Sequence, residues 1–274
     1  MGKIKNIPFR VFCYVLMIVF LFIYLFPLFF VANTSLKTSQ DYMLHPTSLT
    51  TTWAFDNYIT AWNKANFGAY IGNSVLYTAV CTIASLILSL LIAFPISRKY
   101  IPASGFLYVL FLCGLFLPSG LIPTFQMVLN MGLYDTKLGY MLVMTGVNAT
   151  SVFFFTGYFK SIPRELDEAA SIDGCGYLRY VLTCIIPLAQ PAMVSMGMLS
   201  MIGVWNDIVS STIYLTSETN YNITRGLFVF TGQYSNDWTL TAAGLLIVAA
   251  PLIAVYVCGQ RYIVDGVMAG GLKG

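Results

Sequence analysis

The sequence predicts an all-helical membrane protein of six spans, and three observations carry that expectation: too little charge for a watery surface, apolar runs of membrane length, and an uneven distribution of positive charge between alternate connections. Hydrophobic residues make up 58% of the 274 positions and charged residues 9%, against about 25% charged in an ordinary soluble domain. With a mean hydropathy of +0.76, hydrocarbon is the natural solvent for most of the chain. Each helix that crosses it needs roughly 20 apolar residues.

The first apolar run covers residues 11–32 and follows Lys3, Lys5 and Arg10. A secretory signal has an apolar core of only about 7–15 residues and a small-residue cleavage site; this run is longer and has no such site, so it reads as a span. A polar stretch from Asn33 to Ala69, with Asp41, Trp53, Asp56 and Trp62, reads as a loop with a short helix from Asn57 to Lys64. Further runs over 70–96, 105–129, 138–159, 188–214 and 240–262 bring the spans to six, in one transmembrane domain over 1–274. Pro118, Pro123 and Pro251 fall inside these runs; membrane helices tolerate proline where neighbours satisfy the freed backbone groups.

Lys and Arg are retained on the cytoplasmic side of a membrane. A cytoplasmic amino terminus leaves ten of them inside (Lys3, Lys5, Arg10, Arg98, Lys99, Lys160, Arg164, Arg179, Arg261 and Lys273) and four outside (Lys37, Lys64, Lys137 and Arg225). Both termini of a multi-pass protein of the cytoplasmic membrane are then expected in the cytoplasm, with lipid as the surrounding solvent.

The inside connection from Lys160 to Pro187 is unusually rich in charge at its start. Pro163 suits a first helical turn, Glu165, Asp167 and Glu168 complement the positive end of the helix dipole, and Gly174 is a natural left-handed stop. A short helix is therefore expected over Pro163 to Ile172, followed by an amphipathic segment from Tyr177 to Ile186.

Composition also excludes function classes. Basic residues are dispersed, so nucleic acid is not an expected partner. The six cysteines form no CxxC pair and mostly sit in apolar runs, which reads as buried free thiols. His45, the one histidine, lies in a polar stretch, so an imidazole metal cluster is not expected. With no recognisable nucleophile and base, no catalytic residue is assigned, and the chain reads as no enzyme.

The segment Glu168-Ala169-Ala170-Ser171-Ile172-Asp173-Gly174, followed by Ile186-Pro187-Leu188 and Pro191, resembles the EAA loop of ATP-binding-cassette importer permeases. Trp205-Asn206-Asp207 is similar to a signature of carbohydrate permeases, and Gln260-Arg261-Tyr262 with the Gly-Leu-Lys-Gly ending is similar to their carboxy-terminal tail. The likeness covers nearly the whole chain and is nearest to the smaller permease partner of maltose-type oligosaccharide importers; Cys175, where many relatives carry Ala, and Gly176 are modest departures.

The resemblance implies a second, homologous permease, two cytoplasmic ATPase subunits docked on the two EAA loops, and an external binding protein that delivers a carbohydrate. Glu168, Ala169, Ala170, Asp173 and Gly174 are then the ATPase-coupling residues. The chain has no G-x-x-x-x-G-K-[ST] loop, so ATP and Mg are expected on the partner ATPases, with no cofactor on this chain. The alternative is an ion-coupled secondary transporter of a small polar solute, for which Asp207 is the candidate intramembrane carboxylate.

A sugar offers hydroxyls and apolar ring faces, so its path should mix amides, hydroxyls and aromatics. Asn148, Thr150, Ser200, Trp205, Asn206 and Tyr214 are the candidates. In the aromatic-rich outer connection from Thr216 to Trp238, Gly232, Gln233 and Tyr234 form the expected tip that meets the binding protein, as in the resembling permeases.

Overall fold

The computed structural model describes residues 7–117, 120–230 and 237–271, and regular structure among them is helical throughout. In chain order the elements are α1 (Ile7–Ser35), α2 (Ser39–Leu44), α3 (Asp56–Lys64), α4 (Phe67–Arg98), α5 (Ser104–Gly114), α6 (Leu121–Asn130), α7 (Lys137–Met144) and α8 (Ala149–Ser161). There follow α9 (Glu165–Ile172), α10 (Tyr177–Tyr180), a π-helical segment (Val181–Ile185), α11 (Ile186–Leu188), α12 (Gln190–Trp205), α13 (Val209–Tyr214), α14 (Ile223–Gly226) and α15 (Trp238–Gly271), with single 3₁₀ turns at Glu218–Asn220 and Leu227–Phe230.

Three helices are long and apolar enough to cross a membrane: Phe9–Ser35, Phe67–Arg98 and Trp238–Gln260. Two bent pairs reach the same length, α7 with α8 at 47° and Tyr177–Leu188 with α12 at 76°, which makes three to five candidate spans among the described residues. The expected run 105–129 is divided into α5, which is shorter than a span, and α6.

Polar side chains set the two later breaks. In the fourth run, the Asn148 side chain accepts from Thr150 N at 2.9 Å and starts α8 afresh after α7 ends. The fifth run does not continue helically to 214: α12 stops at Trp205. There the Asp207 carboxylate accepts from Ser210 N and Ser211 N, at 3.2 and 2.8 Å, and begins α13. An aspartate offers these amides an alternative to the helical ladder.

The described residues group into two compact units. One comprises residues 1–68 and 226–251. Here the stretch read as a loop is a hydrogen-bonded knot. Asn33 donates to Ser48 O and accepts from Thr50 N, both at 2.8 Å, while Asn57 donates to Ser35 O and Lys37 O, also at 2.8 Å. The fully buried Lys37 amine points at the carbonyls of His45 and Pro46 and at Ser48 Oγ. His45 thus serves through its backbone.

The other unit comprises residues 69–225 and 252–274. Two apolar cores lie among its described residues. Leu90, Phe94, Phe155, Phe159, Tyr180 and Ile185 build one, beside α9. Tyr77, Cys81, Val128, Tyr140, Tyr214 and Leu215 build the other. The cysteines are all free thiols, yet only Cys81 is buried, while Cys113 and Cys258 are exposed. The expectation of burial is corrected there: these two lie on apolar helix faces that the fold leaves uncovered, and a thiol is apolar enough to stay there without a partner.

Candidate functional site

A cavity of about 330 Å³ opens where α4, the α7–α8 break and α12 meet. Its polar lining is Ser85, Asn148, Thr150, Ser151 and Ser200, and the rest is Met144, Gly146, Met196, Leu199, Gly203 and Val204. No lining residue is charged. Such a site offers hydroxyl and amide hydrogen bonds beside apolar surface, at the small end of ligand clefts, which run from about 300 to 1,000 Å³. Three of the six path residues named from the sequence, Asn148, Thr150 and Ser200, are thus brought together.

The other three lie elsewhere. Trp205 is buried, with its carbonyl held by Thr224 Oγ1 at 2.7 Å. Asn206 caps the end of α12 and is exposed. Tyr214 is buried in the aromatic core around Tyr140. Sequence reasoning missed Ser85 and Ser151. A signal for Ser85 was present: Thr78, Thr82, Ser85 and Ser89 recur at helical spacing on α4 and are all buried. The hydroxyls of Thr78, Thr82 and Ser89 make no hydrogen bond among the described residues.

The expected short helix is α9, beginning at Glu165, two positions after Pro163. Its first turn carries Glu165, Asp167 and Glu168, as the helix dipole favours. It stops where Gly174 takes φ +68°, and Cys175 N donates back to Ala170 O at 2.9 Å. Glu168, Ala169, Ile172 and Asp173 face outward, while Ala170 packs against the core. The amphipathic segment that follows turns π-helical over Val181–Ile185 and then bends into α12. Tyr158 fastens that bend, donating to Leu188 O at 2.8 Å.

At the opposite end of this unit, Asp135 ties α7's approach to the segment after α13. Its carboxylate accepts from Thr216 N at 2.8 Å, Ser217 N at 2.9 Å and the Ser217 hydroxyl. Burial pushes the carboxyl upward, but these hydrogen bonds outweigh it and hold Asp135 well below the ordinary carboxylate range. Asn73 adds a second tie, donating to Thr219 O and Tyr221 O at 2.9 Å and accepting from Lys137 at 2.7 Å. Gly232, Gln233 and Tyr234 lie outside the described residues; next to them, Asp237 N donates to Phe230 O at 3.2 Å.

The comparisons with known proteins agree on one family. Residues 67–268 match the model of the binding-protein-dependent transport system inner membrane component. A probable ABC transporter permease protein of Bacillus subtilis, YurM, is 33% identical over 93% of this chain and 87% of its own length. The diacetylchitobiose uptake system permease protein NgcG of Streptomyces coelicolor is 28% identical over 94% of this chain and 87% of its own. Among solved structures, a chain from a bacterial ABC transporter involved in the import of the acidic polysaccharide alginate superposes with a TM-score of 0.85 at 22% identity, covering 96% of this chain and 99% of that one. That likeness establishes the fold. On the family match and the YurM identity, the chain belongs to the inner membrane components of binding-protein-dependent transport systems, the permeases of ABC transporters.

Proposed function

We propose that this chain is one of two permease subunits of an importer that carries an oligosaccharide across the cytoplasmic membrane, in six spans with both termini in the cytoplasm. The uncharged, hydroxyl- and amide-lined cavity of Ser85, Asn148, Thr150, Ser151 and Ser200 carries this reading. Its donors and acceptors suit a neutral polyol, and no fixed charge has to be neutralised by a substrate ion. The relatives' names support the same class: NgcG is named for diacetylchitobiose, and MelC of Bacillus subtilis for melibiose, raffinose and stachyose.

In this reading the six spans are α1, α4, α5 with α6, α7 with α8, α12 with its bent lead-in, and α15. α9 is a cytoplasmic coupling helix that presents Glu168, Ala169 and Asp173 to one of two ATPase subunits, which hold ATP and Mg. Small side chains allow close approach, and the exposed Ile172 offers apolar surface to the same partner. The second permease completes the path, and a binding protein meets the segment with Gly232, Gln233 and Tyr234.

Deleting the chain in its host and measuring uptake of labelled diacetylchitobiose, raffinose and stachyose tests the proposal. Loss of one of these, restored by a plasmid copy, is expected, together with co-purification of an ATPase by the tagged chain. Unchanged uptake of all oligosaccharides with lost uptake of an amino acid or metal would overturn the substrate class; a chain that captures no ATPase would overturn the importer reading.

A further inference from the structure

Arg98 is the last residue of α4, and its side chain is 2% exposed. Its Nε lies 2.9 Å from Asp167 Oδ2 on α9, and its Nη1 donates to Ile162 O at 2.9 Å. The Nε contact is an ion pair by distance, with the N–H aimed off the oxygen, and Nε and Nη2 make no hydrogen bond among the described residues. Asp167 is the guanidinium's one ionic partner among them. Its other oxygen, Oδ1, accepts from the hydroxyl of Tyr180, the buried last residue of α10.

One carboxylate therefore sits between α4, which reaches the polar cavity, and α10, whose chain continues into α12 at the same cavity. Along α4, Ser85 lies thirteen positions before Arg98, about 20 Å at the α-helical rise. From Tyr180 the chain passes through the π-helical segment and α11 into α12, where Ser200 lines the same cavity. Asp167 is on the inward side of α9, whose outward face is Glu168, Ala169 and Ile172. Displacing α9 against this frame would leave a buried arginine without its counter-charge, which is strongly unfavourable. The ends of α4 and α10 are thereby held to α9.

We infer that Asp167 is a positioning residue of transport, through which movement of α9 reaches the cavity walls by way of Arg98 on α4 and Tyr180 on α10. The inference rests on the importer reading and names the residue that transmits force within it. It predicts a division of effects: residues on the outer face of α9 hold the ATPase, whereas Asp167 leaves capture and hydrolysis alone and governs what they accomplish.

The test uses the permease pair co-purified with its ATPases in lipid nanodiscs, with the six native cysteines replaced and Ser200→Cys as reporter. The readouts are ATPase capture, ATP hydrolysis, and the ATP-dependent change in labelling of the reporter by a polar maleimide. Asp167→Asn and Tyr180→Phe are expected to keep capture and to hydrolyse ATP within about twofold of the parent, while the ATP-dependent change in labelling falls by about tenfold. Asp167→Glu, which restores the charge, is expected to recover most of it. Arg98→Lys, which keeps a cation at the buried position, should give an intermediate loss of the labelling change. A full labelling change in Asp167→Asn, no recovery with Asp167→Glu, or loss of capture in these variants would overturn the inference while leaving the importer reading intact. If the parent complex itself captures no ATPase, both fall.

Discussion

Tyr140 donates its phenol hydrogen to Asp207 Oδ2 at 3.0 Å, joining α7 to the turn between α12 and α13. The same carboxylate accepts from Ser210 N and Ser211 N, and the Asp207 carbonyl accepts from Asn222 Nδ2 at 2.7 Å. Asp207 is thus built into a helix start and a packing junction, an arrangement suited to holding structure in place.

The first prediction follows for the rival, ion-coupled reading. Asp207→Asn, which preserves an acceptor oxygen, is expected to retain uptake, and uptake should survive collapse of the proton and sodium gradients while ATP is maintained. Asp207→Ala removes the junction and should destabilise the protein by about 1–3 kcal/mol, the cost of leaving buried donors unpaired. Uptake that follows the ion gradient and vanishes in Asp207→Asn would restore the rival.

A second prediction concerns acid. Asp135 has a lowered carboxyl pKa in the fold, so its contribution is fully present above the unfolded value of about 4 and is lost as pH falls through the folded value. The melting difference between the parent and Asp135→Asn should therefore hold constant from about pH 8 to pH 5 and shrink as pH drops below 4. Asp135 also takes φ +57°, so Asp135→Ala combines lost hydrogen bonds with backbone strain and should melt lower than Asp135→Asn. An equal gap at every pH would remove the ionised carboxylate from the explanation.

Much of this architecture was legible in the sequence, because long apolar runs and a glycine stop are local signals. α1, α4 and α15 follow from hydropathy alone, and the end of α9 follows from Gly174. What hydropathy could not show is where a run breaks. Asn148 and Asp207 fall inside long apolar runs, and a window average smooths them away, although each starts a new helix by capturing backbone amides. Gathering Asn148, Thr150 and Ser200 into one cavity needs the α7–α8 break to meet α12, a long-range contact that no local pattern displays. Ser85 was written in the hydroxyl period of α4 and was overlooked because serine and threonine also pack quietly between membrane helices.

The third prediction separates the cavity's two kinds of polar residue. Asn148 both lines the cavity and caps α8, so Asn148→Ala should cost about 1 kcal/mol of stability as well as altering uptake. Ser200 lines the cavity from the middle of α12. Ser200→Phe should fill it, reducing the maximal uptake rate about tenfold or more while ATPase capture and melting temperature stay near the parent's. Normal uptake in Ser200→Phe would exclude this cavity from the path.

The last prediction contrasts two neighbouring alanines. Ala169 is exposed on α9, whereas Ala170 is half-buried and packs against the core of Phe94, Phe155 and Tyr180. Arginine at 169 meets solvent on the isolated chain, so Ala169→Arg should leave the melting temperature within a degree or two and still abolish co-purification of the ATPase, because bulk and charge now occupy the docking face. Arginine at 170 must displace packed apolar side chains, and overpacking of this kind costs about 1–3 kcal/mol. Ala170→Arg should therefore lose both stability and ATPase capture. Gly174→Ala supplies the control for helix termination: its φ of +68° strains any residue with a Cβ, so it should weaken capture less than Ala169→Arg does. Melting curves of the solubilised variants, set beside a pull-down of the ATPase, read all three. Should Ala169→Arg capture the ATPase as the parent does, the outward face of α9 is not where the partner docks.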